Sequence, residues 1–343
     1  MDRLIRLLTT VLALGCVATE APAAAESTDG GVSRLAAMSL EDLADIEVSA
    51  VSKRTEKRSA AAAAIYVITA EDIRRSSATN LSDLLRMVPG VHVGAIDNNA
   101  RSISVRGFGG RYASKLLVLV DGRSAYTPLF SGVVWEALDI QLESIERIEV
   151  IRGPGGTLWG ANAVNGVINV ITKNAADTQG GLVRVSAGTE YPGMGEFRYG
   201  DTAGQSGHYR LQLRYLGRDD SASYGGLRSD DDAVHLRGGV RFDWDWDDSQ
   251  FTLIGDLYGA QNSQVFEVPS LVLPINDTRR AESYLSGGSL LGRWSQTQAS
   301  GGQLRVQAYV DRAESNNFLL DEDRYTFDLE VQYQLAPIGR HEI

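Results

Sequence analysis

Cysteine is almost absent from this sequence. The 343 residues hold one, Cys16, so there is no disulfide framework. Histidine is scarce as well. His92, His208, His235 and His341 are scattered without metal-site spacing, and no Ser-His-Asp set stands out, so nothing points to an enzyme or a cofactor. Basic charge is in deficit: 33 Lys and Arg against 44 Asp and Glu leave a net −11. Binding a phosphate backbone needs the opposite balance, which excludes nucleic acid as the main partner. No stretch of ~20 apolar residues follows the N-terminus, so no membrane-spanning helix is expected.

What is present starts with a targeting signal. Arg3 and Arg6 precede the apolar run LLTTVLALGCVA (7–18), and Ala23-Ala24-Ala25 supplies an A-x-A cleavage site. Residues 1–25 therefore read as a secretory signal peptide cut after Ala25. Cys16 lies in its apolar core, and Ala13-Leu14-Gly15 lacks the leucine of a lipidation site.

Two styles of sequence follow. Residues 58–174 read as a compact α+β domain. AIYVIT (64–69) is a strand, and Thr69 with Asp72 forms a capping box for a short helix. A second helix takes Thr79 as N-cap, with Leu81, Leu84, Leu85 and Val88 on one face, and stops at Pro89-Gly90. GVHVG and SISVRG are short strands. KLLVLVDGR (115–123) is a buried strand ending in the Asp121-Gly122 turn, and ESIERIEVIRG is a helical turn running into a strand. After Leu182 no amphipathic helix appears. Eight alternating strands follow, such as YRLQLRY (209–215), with Tyr209, Leu211, Leu213 and Tyr215 on one face and Arg210, Gln212 and Arg214 on the other. Aromatics gather at strand ends, as in Trp244 and Trp246. Short and long connections tend to alternate, with GRDDSASYGGLRSDDDA, GAQNSQVFEVPSLVLPINDTRRAES and RAESNNFLLDEDR read as long loops. The pattern favours a membrane barrel with apolar residues toward lipid over a soluble sandwich.

The motifs VPGV (88–91), VRGFGGR (105–111), VLVDGR (118–123) and, above all, IERIEVIRGPGGTLWGANAVNGVINVITK (145–173) resemble the TonB-dependent outer-membrane receptor family. The resemblance implies an N-terminal plug domain inside a 22-stranded barrel in the outer membrane of a Gram-negative bacterium. Its implied partners are TonB with its inner-membrane energising complex, outer-membrane lipid and a small ligand such as a metal chelate. The eight strands of residues 180–343 are then about a third of a wall. The chain reads as the N-terminal part of a longer receptor, its strands forming an open, curved sheet.

The resemblance also assigns roles. Residues 26–57 would be a periplasmic segment carrying the coupling box at 45–53, with Ile46, Glu47, Val48, Ser49 and Ala50 pairing edge-on with TonB as a free strand. Arg106, Asp121, Glu149 and Arg152 would form polar contacts between plug and barrel. The plug's upper loops would meet the ligand through Asp97, Asn98, Asn99 and Arg101, and through Tyr126, Leu129 and Phe130. Asp230, Asp231 and Asp232 form a weak calcium candidate without EF-hand spacing; a solvated acidic loop is the plainer reading. Two function classes stay open: energised import of a ferric siderophore or cobalamin, and a passive gated pore or adhesin-like protein.

Overall fold

In the computed structural model the described residues are 47–48, 56–57, 63–107, 109–112, 115–160, 162–189, 191–221, 229–269, 271, 276–318 and 320–335. The N-terminal segment contributes two short paired strands, β1 (Glu47–Val48) and β2 (Glu56–Lys57). β3 (Ile65–Thr69) runs straight into helix α1 (Ala70–Arg75). The boundary is fixed by the capping box read from sequence: Asp72 N donates to Thr69 Oγ1 at 3.2 Å, and Thr69 N donates back to the Asp72 carboxylate at 2.9 Å. Helix α2 (Leu81–Leu85) starts one residue later than expected. Asn80, not Thr79, is its N-cap and accepts from Asp83 N at 3.0 Å, in keeping with the stronger capping preference of Asn.

A hairpin of β4 (Val91–Ala95) and β5 (Arg101–Val105) comes next. It is followed by β6 (Leu116–Val120), β7 (Arg123–Ser124), β8 (Tyr126–Thr127) and β9 (Gly132–Val133). Two 3₁₀ turns, Trp135–Ala137 and Leu142–Ser144, then lead into β10 (Ile145–Arg152). The glycine-rich stretch 153–166 reverses the chain through the short helix α3 (Gly156–Trp159) into β11 (Gly166–Thr172). Only glycine fits at 166, where a Cβ would stand 2.5 Å from the Ile151 carbonyl oxygen.

Five of these strands form one sheet in the order β3-β10-β11-β6-β7, parallel only between β11 and β6, while β4-β5 and β8-β9 are separate hairpins. Both faces are covered, which is why its central strands read as unbroken apolar runs. One face packs Val118, Ile148, Val150, Ile168 and Val170 against Ile73, Leu84, Leu85 and Ile103. The other gathers Ile65, Val67, Leu117, Leu119, Ile151 and Val167 around Val48. Val48 is fully buried, so the N-terminal segment seals this second face.

The wall is a single antiparallel sheet, each strand paired with the next. Its strands are β12 (Gly180–Ser186), β13 (Gly193–Ala203), β14 (Gly207–Arg218) and β15 (Ala233–Trp246). They continue as β16 (Ser249–Pro269), β17 (Asn276–Thr297), β18 (Gln303–Asn316) and β19 (Asp321–Gln334). The edge strands β12 and β19 do not pair with one another among the described residues, so the sheet is open, as expected. Two of the connections read as long loops are strand instead. β16 and β17 run for 21 and 22 residues, and β18 and β19 leave only residues 317–320 between them. About 9–11 residues cross a bilayer, so the β16–β17 hairpin stands well beyond it. Main-chain pairing there continues past the point where the apolar alternation stops.

Apolar residues on the outer face are exposed, among them Val185, Phe197, Leu257, Phe327, Leu329 and Val331. Near the short-turn rim, Tyr199, Tyr209, Phe242, Trp244 and Phe251 form a chain of ring contacts with centroids 5.5–6.3 Å apart. The rings gather at the strand ends, where an aromatic girdle was expected.

Candidate functional site

The lumen face of the wall carries the charge, and arginine dominates it. Eight wall arginines donate to main-chain carbonyls of the plug. Arg198 reaches Glu143 O at 3.2 Å, Arg210 reaches Lys173 O at 2.7 Å, and Arg214 reaches Thr79 O at 2.8 Å. Arg218 reaches Asn98 O at 2.6 Å, while Arg237 reaches Ala137 O and Arg241 reaches Thr172 O, both at 2.8 Å. Arg293 donates to Asp121 O, and Arg324 to Tyr126 O at 2.8 Å. Carboxylates complete the seam: Asp311 accepts from Arg123 at 2.6 Å, Glu322 from Thr127 at 3.0 Å, and Asp243 from Ala175 N at 2.8 Å. A planar fork of five donors suits this work, because it satisfies buried carbonyls of several loops at once.

Of the four residues expected to join plug and wall, Asp121 does so. It sits at φ +52°, ahead of Gly122 at +88°. Its carboxylate accepts from Thr172 N and Oγ1, both at 2.9 Å, while its carbonyl accepts from Arg293. The structure gives the other three partners inside the plug. Arg106 donates to Arg152 O, and Arg152 donates to Pro89 O. Glu149 accepts from Arg147 at 2.8 Å with its side chain wholly buried. β10 lies between two plug strands, and Ile148 to Ile151 on it are buried.

The apical loop 95–101 also differs from expectation. Most of its polar groups are bound to the protein itself, though Asn99 Oδ1 and Arg101 Nε are buried without a hydrogen-bond partner. Asp97 Oδ1 accepts from Asn99 N and Ala100 N, and Arg101 donates to Asp97 O. Asn98 N donates to Asp231 at 2.9 Å and its amide to Asp219 O at 2.8 Å; Asn99, buried, donates to Asp231 O at 2.8 Å. Together they tie the apical loop to the β14–β15 connection. Asp230 and Asp232 pair with Arg280 at 2.9 and 3.1 Å, while Asp231 turns toward the plug. Asp230 and Asp232 keep much of their exposure while paired with Arg280. No group of three potential metal ligands exists among the described residues.

Beneath this loop a small cavity is lined by Asn99, Arg101, Trp135, Glu136, Asp139, Arg218 and His235. Burial works to raise the Asp139 carboxyl, but Arg214, 3.0 Å away, outweighs it and holds the group below the usual carboxylate range.

Beside it, between plug and wall, opens a cleft of about 80 Å³. The plug supplies Arg111, Tyr112, Phe130, Val134 and Glu136, and the wall supplies Asn262, Gln264, Phe266, Ser283 and Leu285 among others. Tyr112 and Phe130 stack with centroids 4.2 Å apart and planes 5° from parallel. Gly132 makes this possible: Val133 N donates to Tyr112 O at 2.6 Å, and any Cβ at 132 would collide with that carbonyl. Phe130 therefore sits where a ligand residue was expected. Tyr126 and Leu129 do not line the cleft; Leu129 faces outward, and Tyr126 offers Arg324 its carbonyl. Arg111, Tyr112 and Glu136 were not foreseen. The signal available was an Arg-Tyr pair following the glycines of VRGFGGR. Burial raises the Glu136 carboxyl above the ordinary range despite Arg111 at 3.3 Å.

Of the coupling box, Glu47 and Val48 are described, and Ile46, Ser49 and Ala50 lie outside the described residues. Val48 is docked on the plug sheet rather than free.

Residues 57–167 match the TonB-dependent receptor plug domain. The vitamin B12 transporter BtuB of Vibrio vulnificus is 37% identical over 130 residues, covering 37% of this chain and 20% of that protein. The ferric enterobactin receptor of Pseudomonas aeruginosa is 33% identical over 188 residues, covering 50% of this chain and 23% of that protein. The chain thus spans about a fifth of the length of these relatives. In fold it is similar to the solved P. aeruginosa FpvA bound to heterologous pyoverdines. That likeness has a TM-score of 0.64 at 14% identity, over 86% of this chain and 43% of that one. A plug-like α+β domain seated against an open antiparallel wall defines the class of fold. Residues 57–167 are similar to the TonB-dependent receptor plug domain, and the eight-stranded sheet that follows has the fold of the start of such a receptor's barrel.

Proposed function

We propose that this chain serves in the energised import of a scarce ligand across the outer membrane of a Gram-negative bacterium. The ligand belongs to the ferric siderophore or cobalamin class, and TonB with its inner-membrane complex supplies the energy. The observation that carries this reading is the seam: a folded plug held across the lumen face by many polar bonds. Such contacts can be exchanged one for another or for water as the plug moves. The cleft lies on the long-loop side, where a ligand arrives from outside. Val48 of the box packs against the other face of the plug sheet. The names of the relatives, a vitamin B12 transporter and a ferric enterobactin receptor, support the class and favour transport over catalysis.

Deleting residues 45–50 tests it. Cells carrying the receptor should lose uptake of one ligand in a panel of iron chelates and cobalamin, while binding of that ligand at the surface persists. Uptake indifferent to the deletion would instead favour a passive gated pore.

A further inference from the structure

Across the small cavity beneath the apical loop, plug and wall face each other through two side chains that do not bond directly. His235, on β15, has its Nδ1 4.0 Å from Asp139 Oδ2, beyond hydrogen-bond reach. Its Nε2 lies 2.7 Å from Asn262 Oδ1. That oxygen only accepts, so Nε2 carries the ring proton and Nδ1 is a bare acceptor. Asp139 accepts from Arg214 at 3.0 Å through Oδ2, while its Oδ1 has no hydrogen-bond partner, and neither has His235 Nδ1. Two acceptors thus oppose one another with little access to solvent: His235 is 5% exposed and the Asp139 side chain 11%. A buried acceptor left bare is costly. The other residues lining the cavity hold the complement. Trp135 Nε1, Arg101 Nε and Arg218 Nε are buried donors without a partner, and Asn99 Oδ1 is a further bare acceptor. The cavity measures about 20 Å³, room for one water-sized molecule.

We propose that this cavity binds one water molecule that joins plug to wall. It donates one hydrogen to His235 Nδ1 and the other to Asp139 Oδ1, and accepts from Trp135 Nε1 and from one of the two arginine Nε groups. A gap of 4.0 Å between polar atoms is one that a bridging water spans. The chemistry of the lining selects water over an ion. Arg101 and Arg218 invite an anion, since each donates elsewhere to a carbonyl, of Asp97 and of Asn98. An anion only accepts, however. It would lie against the Asp139 carboxylate and leave both opposed acceptors bare. A cation would meet three N–H donors and two guanidiniums. Water alone supplies two donors and two acceptors in so small a volume. The joint differs in kind from the direct bonds of the seam. When plug and wall part, the water can stay with either face, so the joint opens without stranding a buried acceptor.

The test is high-resolution diffraction from crystals of the full receptor, with bromide replacing chloride in one set. The expected result is a single density peak within hydrogen-bond distance of both His235 Nδ1 and Asp139 Oδ1, without anomalous signal in the bromide crystals. In W135F, which keeps an aromatic ring and removes one donor, the peak should weaken while the His235–Asn262 bond is unchanged. Nitrogen NMR on isotope-labelled receptor gives a second readout that needs no crystal. The His235 resonances, assigned by their loss in H235Q, should report a neutral ring protonated at Nε2. No peak, a peak that carries the bromide signal, or one indifferent to W135F overturns the proposal. So does direct contact between His235 and Asp139 that closes the cavity, or a His235 ring protonated on both nitrogens at neutral pH.

Discussion

Asp121 joins three pieces of the molecule through one residue. Its left-handed backbone turns β6 into β7, its carboxylate receives β11 at Thr172, and its carbonyl receives Arg293 of the wall. Asp121→Ala leaves two buried Thr172 donors unpaired and should cost about 2–3 kcal/mol, read as a lower denaturation midpoint of the plug. Asp121→Asn keeps one acceptor and should cost less. Asp139 gives a pH signature. Its carboxyl is held below the ordinary value by Arg214, so it contributes stability above about pH 4 that is lost as the pH falls further. The acid limb of a stability profile should therefore flatten in Asp139→Asn. An unchanged limb would mean the Arg214 pair does not hold the plug.

Among the elements, those governed by neighbours in sequence were legible. The Thr69–Asp72 box, the apolar runs of β6, β10 and β11, and the polar alternation of the wall strands are all local signals. The α2 start was displaced by one because Thr79 and Asn80 are both capping residues. The length of β16 and β17 was hidden because main-chain pairing continues through EVP and NDT, which have no strand pattern. The seam was hidden for a related reason. The wall arginines were placed on the lumen face, but their acceptors are backbone carbonyls, which leave no mark on residue type. Arg111 meets Glu136 and Gln264 across 25 and 153 positions, which no local pattern encodes. At this scale the aromatic belt makes a prediction. Trp244→Ala breaks the ring chain between Phe242 and Phe251 and should lower the stability of the folded wall in lipid by more than about 1 kcal/mol. Replacing lumen-facing Gln212 by Ala should have a smaller effect.

For the whole molecule, the plug touches wall strands from β12 to β19, from Arg184 to Arg324, so the sheet curves round it. The eight arginine-to-carbonyl bonds share the load. Loss of one should be tolerated, whereas the triple change of Arg210, Arg241 and Arg293 to Gln should loosen the plug and raise leakage of large antibiotics through the outer membrane. Equal leakage in parent and triple variant would show that the seam is not what seats the plug. The docked Val48 adds a second requirement, since a partner strand can pair with the box only after it leaves the plug sheet. The most direct measurement is the ratio of internalised to surface-bound ligand in cells expressing the receptor with and without Ile46→Pro, which removes a main-chain donor from the box. The account predicts that surface binding persists and internalisation is lost. Equal internalisation by the two would contradict energised import through this segment.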